Sequence, residues 1–163
     1  MLKNQLKMSF EYEPKEKEKE AFIVKEVEIR KNCFKNFGKV RRPSDLVEIV
    51  SKVLENRNLD LDNDFYVLLI LNTNNLITRI EVLGREKALD FKEIYRKTII
   101  NNACNTMMVK IQKGDCKLKS EDKEKALRLN NDFDLLGIDF LDFLVLENKT
   151  KKSVSLSQIG LIN

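Results

Sequence analysis

The chain has 163 residues, of which 42% are apolar and 34% are charged, and its formal net charge is +4. These values are typical of a globular domain with a buried core, and they exclude a disordered or collagen-like chain. The chain contains no histidine, which excludes Ser-His-Asp and Cys-His catalysis and every metal site built on imidazole. Three cysteines without a Cys-x-x-Cys pair favour the reducing cytoplasm, and we expect neither a signal peptide nor a membrane span.

The N-terminal segment differs in composition from the rest of the chain. Lysine and glutamate alternate over residues 15–20, a pattern that cannot form a core. We therefore interpret residues 1–22 as a charged N-terminal segment and residues 23–163 as the folded domain. The segment would be a solvated tail or a surface helix held by charge pairs. Such a helix is marginal alone, so if the segment is ordered, its few apolar side chains would dock it on the domain or on a partner.

Hydrophobic periodicity then predicts strands and helices in alternation. Pro43 and Asp45 suit the first turn of a helix, Ser120 is a reasonable N-cap, and Gly137 is a typical helix end. We expect Ile99 and Leu136 to point inward from their helices. The predicted elements are a strand at 24–29, a helix from 43 to 54, a polar connector at 56–63, a hairpin of strands at 65–71 and 76–83, a helix at 90–102, a strand at 106–111, a loop at 112–119, a helix at 120–136, and strands at 138–146 and 153–156.

This order predicts an α/β (α+β) fold in which helices pack on a central mixed sheet. Several local strings in it are similar to those of the RadC-like branch of the JAB/MPN domain family, from about Val24 to Ile162. The resemblance implies a JAB/MPN-like fold and, in the usual member, zinc-dependent hydrolysis. The matching strings are Val24–Val27, Arg42–Asp45, Leu71–Asn75, Phe91–Tyr95, Asn101–Ala103, Leu135–Asp142 and Ser155–Leu161.

The metal signature of that family is His-x-His-Pro-Ser-Gly-Asp-Pro, followed by a serine and an aspartate. By this resemblance Val109 and Ile111 stand where the two histidines would be, and Asp122 matches the later aspartate. Lys119 replaces the serine, and Glu81 is the nearest candidate for the upstream glutamate. Valine and isoleucine offer no lone pair to a metal, so we expect a degenerate member with no catalytic residue, no metal and no other cofactor.

Lysines are concentrated around this degenerate metal site. Lys110, Lys113, Lys117 and Lys119 fall within ten residues, and we expect them to form an exposed rim that contacts an acidic partner. Cys116 lies among them, where positive charge would favour a thiolate. Further basic clusters precede the first helix and occupy the final hairpin, at residues 39–42 and 149–152.

Two classes of function remain open. The first is a catalytically inactive RadC-like binding protein that acts through a protein partner. RadC-like proteins are carried on plasmids, phages and other mobile elements, so such a protein could inhibit host defence in the manner of an anti-CRISPR protein. The second is a nucleic-acid-binding protein related to the DNA-repair members of the family. A homodimer is compatible with either class, and we expect no membrane partner.

Overall fold

The computed structural model describes residues 38–57, 64–85 and 89–162. The charged segment 1–22 and the strand predicted at 24–29 lie outside the described residues, as do residues 58–63 of the predicted connector. The described elements are α1 (Pro43–Arg57), β1 (Phe65–Leu71), β2 (Ile77–Arg85), α2 (Phe91–Ile100), β3 (Asn105–Gln112), α3 (Ser120–Leu135), β4 (Asp139–Glu147) and β5 (Ser153–Ser155).

The strands form one mixed sheet in the order β2-β1-β3-β4-β5. β3 and β4 are parallel and are connected through α3, whereas the other neighbouring pairs are antiparallel. The predicted α/β class with a central mixed sheet is therefore confirmed. β1 and β3 occupy inner positions, and every residue of both strands is buried, as the continuous apolar run of β1 indicates for that strand.

Helices cover both faces of the sheet. Side chains of a strand alternate between the faces, so Val67, Val109 and Leu144 pack with α1 in one cluster. Met108 and Phe143 pack in a second cluster with side chains from α2 and α3. The face on which a β3 side chain lies therefore determines which helix it can contact.

Turn and cap residues behave mostly as their chemistry predicts. Asn75 closes the β1–β2 turn at φ +57°, and Gly137 follows α3 at φ +68°, a conformation that glycine adopts without strain. Asp45 caps α1 because its carboxylate accepts the backbone N–H groups of Arg41 and Arg42. The prediction that Ser120 is the N-cap of α3 is wrong. Lys119 holds that position, and Ser120 is the first helical residue.

Two side chains that were expected to point inward are exposed. Ile99 is 53% exposed because the buried stripe of α2 runs through Ile94 and Thr98, one residue before it. Leu136 is 44% exposed because α3 ends at Leu135 and helical spacing no longer applies beyond it. In the described part of the chain, no helix combines the length and apolarity needed to cross a membrane.

Candidate functional site

Lys110 and Asp122 form an ion pair inside the protein. Lys110 lies near the carboxyl end of β3, and Asp122 lies in the first turn of α3. The Lys110 ammonium donates to Asp122 Oδ1 at 2.9 Å, and both side chains have 0% of their surface exposed. Asp122 Oδ2 accepts the backbone N–H of Lys119 at 3.1 Å and so caps α3. Both carboxylate oxygens of Asp122 are therefore engaged by groups of this chain.

The three positions of the degenerate metal site do not lie together. Val109 and Ile111 are buried, and they belong to the cluster that packs with α1. Lys110, between them in the strand, projects to the opposite face and reaches Asp122 on α3. The sheet therefore separates Asp122 from Val109 and Ile111, the two residues that replace the histidines.

Glu81, the candidate for the upstream glutamate, is also bound to neighbours. Its carboxylate accepts from the side chains of Arg79 and Lys97, the latter at 3.0 Å. Burial alone would raise the pKa of Glu81, but the hydrogen bonds from Arg79 and Lys97 outweigh it and hold that pKa below its usual value. It lies on β2, which β1 separates from β3 in the sheet.

The zinc ion that the fold family implies does not fit these side chains. A catalytic zinc takes about three protein ligands, and its imidazole and thiolate donors must be deprotonated. Among the residues that the structure describes, no three His, Cys, Asp or Glu side chains are grouped so that they could hold a metal. Asp122 already has an ammonium as its cation, and Val109 and Ile111 carry no donor atom.

Three of the four lysines assigned to the rim are exposed, and the fourth is not. Lys113, Lys117 and Lys119 are exposed in the loop after β3. Lys110 is not part of that rim, because it is fully buried and paired with Asp122. β-Strand alternation was the signal for this placement, since it puts Lys110 on the face opposite Val109.

The final hairpin lies next to this lysine loop. The backbone N–H of Asn148 donates to the carbonyl of Gln112 at 3.1 Å, which holds the two connections together at one end of the sheet. Two basic clusters that are separate in sequence thus share one surface, which we call the basic end. Its exposed lysines are Lys113, Lys117, Lys119, Lys149, Lys151 and Lys152.

Acidic groups moderate the charge of the basic end. Asp115 lies 3.2 Å from the Lys117 ammonium, in a pair that is almost wholly exposed. The Asp64 carboxylate accepts the backbone N–H of Lys113 at 2.8 Å. The field of the lysines is therefore local, and such surface pairs contribute little to stability.

Cys116 is not an activated thiol. It is half-buried, its thiol lies 3.3 Å from the carbonyl oxygen of Val145, and burial raises its pKa. The expectation that nearby lysines would favour its thiolate is wrong, because the loss of hydration on burial outweighs the backbone hydrogen bonds that lower the pKa.

These features define an α/β protein whose mixed sheet is covered by helices on both faces, with a buried ion pair between β3 and the first turn of α3. Residues 40–161 match the RadC-like JAB domain family. The chain belongs to that family.

Two staphylococcal proteins, both described as UPF0758 proteins, are similar to this chain. The one from Staphylococcus haemolyticus is 27% identical over 122 residues, which cover 71% of this chain and 51% of the relative. The one from Staphylococcus epidermidis is 27% identical over 139 residues, which cover 80% of this chain and 58% of the relative. The chain thus matches a little over half the length of these relatives.

Proposed function

We propose that this protein is a non-hydrolytic binding protein built on the RadC-like JAB fold. The observation that carries the proposal is the buried contact between the Lys110 ammonium and the Asp122 carboxylate. A metal ion at Asp122 would have to displace the Lys110 ammonium and so break an ion pair in which neither side chain has exposed surface. The chain has no histidine with which to build the rest of a zinc site.

We propose that the basic end binds an acidic surface of a protein partner. Exposed lysines at the rim of an interface mainly accelerate association, since they attract the partner before contact. Nucleic acid is the alternative partner. It is less favoured because Asp115 and Asp64 interrupt the positive charge, and because residues 112–119 hold no aromatic side chain on which bases could stack.

The biological setting of this binding is proposed from the family resemblance alone. RadC-like proteins occur on plasmids and phages, so the proposed partner is a protein of host defence and the chain is an anti-CRISPR-like inhibitor. Interference assays in a host with and without the gene test this setting. Undiminished CRISPR interference in the presence of the protein would overturn the proposed role as an inhibitor of host defence. The proposal that the basic end binds a partner is tested separately by the experiments below.

Metal analysis tests the non-hydrolytic part of the proposal. Protein purified without chelator is expected to hold far less than one zinc per chain, and added chelator is expected to leave its melting temperature unchanged. Stoichiometric zinc whose removal lowers the melting temperature would overturn the proposal.

Charge reversal tests the binding surface. Lys113, Lys117 and Lys119 are changed together to glutamate, and a control carries the same change at the exposed lysines Lys39, Lys52 and Lys92. Cross-linked partners are recovered from the native host with each form, and association rates are then measured with the purified partner. The first variant is expected to associate more slowly at low salt, and the control is expected to match the wild type. Equal association rates for the two variants would contradict the assignment of the basic end as the binding surface. Labelled DNA that binds the wild type and loses affinity when Lys113, Lys117 and Lys119 are changed would favour the nucleic-acid alternative.

A further inference from the structure

The C-terminal end of α3 exposes leucines beside acidic side chains. Leu135 is 85% exposed and Leu136 is 44% exposed, which is unusual for large apolar side chains in adjacent positions. Asp134 precedes them and Asp139 begins β4, and both are exposed. Within the described residues, neither carboxylate has a hydrogen-bond or ion-pair partner.

The charge of this end opposes the helix dipole. The carbonyl groups at a helix C-terminus carry partial negative charge, and lysine or arginine in the last turn normally offsets it. The last turn of α3 has no basic residue, and Asp134 adds a further negative charge there. This end of the helix is therefore a place where a cation from outside would be stabilised by the dipole and by the carboxylates together.

A cavity lies between these carboxylates. Its volume is about 360 Å³, which is within the range of about 300–1,000 Å³ for ligand pockets. Asp134 and Asp139 supply its charge, and Ile138 and Phe140 are buried apolar residues in its lining. The cavity is thus suited to a side chain with an apolar stem and a cationic head. Its full lining is Asn130, Asp134, Ile138, Asp139, Phe140 and Leu141.

We infer that this end of α3 is a docking site for a basic, apolar peptide segment of a partner protein. An arginine or lysine side chain of the segment enters the cavity, where its head pairs with Asp134 and Asp139. Apolar side chains next to it in the segment cover Leu135 and Leu136. This acidic surface is distinct from the basic end. An experiment that contradicts the docking site therefore leaves the function proposed for the basic end untouched, and the reverse also holds.

A symmetric dimer of this chain does not fit the site. A symmetric dimer places the same patch of each subunit against the other, so Asp134 and Asp139 would face their own counterparts. Like charges brought together in an interface cost several kcal/mol. Charge complementarity therefore favours a basic segment of a partner over a symmetric second copy.

Fluorescence anisotropy tests the site with a short labelled peptide in which arginine and leucine alternate. The controls are a peptide that alternates glutamate and leucine and one that alternates arginine and serine. The double variant Asp134→Asn with Asp139→Asn removes the charge, and the double variant Leu135→Ser with Leu136→Ser removes the apolar surface. Asp115→Asn, which changes an exposed carboxylate in the loop after β3, is the matched control.

Only the arginine–leucine peptide is expected to bind the wild type well. The Asp134/Asp139 variant is expected to weaken its binding roughly tenfold at low salt, and the leucine variant is expected to weaken it at low and high salt alike. Asp115→Asn is expected to bind as the wild type does. The inference is overturned if that peptide does not bind, if the glutamate–leucine peptide binds equally well, or if the arginine–serine peptide does. A dimer in sedimentation that the leucine variant abolishes would also overturn it, because a second copy would then cover the leucines.

Discussion

The Lys110 ammonium and the Asp122 carboxylate meet at 2.9 Å with no exposed surface on either side chain. Two charges at this depth lose their hydration, and their mutual attraction and hydrogen bonds offset that loss only while both are present. The pair joins β3 to the first turn of α3, where Asp122 also accepts the Lys119 N–H. One carboxylate thus caps a helix and neutralises a buried lysine.

Removing one member of this pair is expected to be costly. Lys110→Met leaves Asp122 as an uncompensated buried charge, which destabilises proteins by about 3–5 kcal/mol. The free energy of unfolding, measured with urea at neutral pH, checks this value. Lys117→Met breaks a pair of similar chemistry whose partners are 78% and 81% exposed, and it is expected to cost less than about 1 kcal/mol.

The coupling between the two residues gives a second measure of the pair. In a double-mutant cycle, Lys110→Met with Asp122→Asn is expected to cost less than the sum of the single changes, because no charge remains unpaired. Additive costs, or a Lys110→Met penalty no larger than that of Lys117→Met, would show that the pair contributes nothing specific.

Restoring the two histidines is expected not to restore a zinc site. Val109→His with Ile111→His places imidazoles in the core against α1, on the face of β3 opposite Asp122. Each imidazole left without a hydrogen bond there costs about 1–3 kcal/mol. We expect the double variant to be destabilised, and we expect added zinc not to raise its melting temperature. The single variant Val109→His is measured in the same way, in case the double variant does not fold. A zinc-dependent gain that disappears with Asp122→Asn would contradict the placement of these side chains.

The contrast between Lys110 and its neighbours shows which parts of the structure can be predicted from the sequence. Apolar patterns and turn chemistry predict the sheet. In agreement, β1 and β3 are buried on both faces, Asn75 lies in the turn between two strands, and Gly137 follows a helix. Proximity in sequence groups Lys110 with the exposed lysines, whereas alternation along the strand places it inside. Its partner Asp122 is twelve positions away, and only the packing of α3 on the sheet determines that the two charges meet.

The Glu81 carboxylate is expected to stabilise the fold in a pH-dependent way. Its folded-state pKa is depressed by its hydrogen bonds from Arg79 and Lys97, whereas that of glutamate in an unfolded chain is about 4.3. The contribution of Glu81 to the free energy of unfolding is therefore complete at pH values above the unfolded-state pKa. It is lost as the pH falls through the lower folded-state pKa. The difference in unfolding free energy between wild type and Glu81→Gln, measured from neutral to acidic pH, should shrink accordingly.

A surface carboxylate provides the comparison for Glu81. Glu48 pairs with Lys52 on the exposed side of α1, with side chains 69% and 66% exposed. Glu48→Gln is expected to change the unfolding free energy less than Glu81→Gln at neutral pH. Equal effects, or a Glu81 difference that grows on acidification, would contradict the assignment.

Cys116 is expected to alkylate slowly. Burial raises the pKa of its thiol, so the thiolate fraction at neutral pH is smaller than that of an exposed thiol. Mass spectrometry after timed treatment with iodoacetamide, with glutathione as the reference thiol, measures the rate and its pH midpoint. A midpoint below that of glutathione would mean that the nearby lysines, and not burial, dominate this sulfur.

Asp134 is expected to lower stability while it serves binding. Asp134→Lys replaces a negative charge with a positive one in the last turn of α3, where a cation interacts favourably with the helix dipole. We expect the free energy of unfolding to rise by about 0.3–1 kcal/mol at low ionic strength, and the arginine–leucine peptide to lose its affinity in the same variant. Glu124→Lys makes the same change of charge nearer the start of α3, on an exposed side chain. There a cation gains nothing from the dipole, so that control is expected not to stabilise the protein and to keep its peptide affinity. If Asp134→Lys lowered stability, the carboxylate would have a structural partner after all, and its place in a docking site would have to be abandoned.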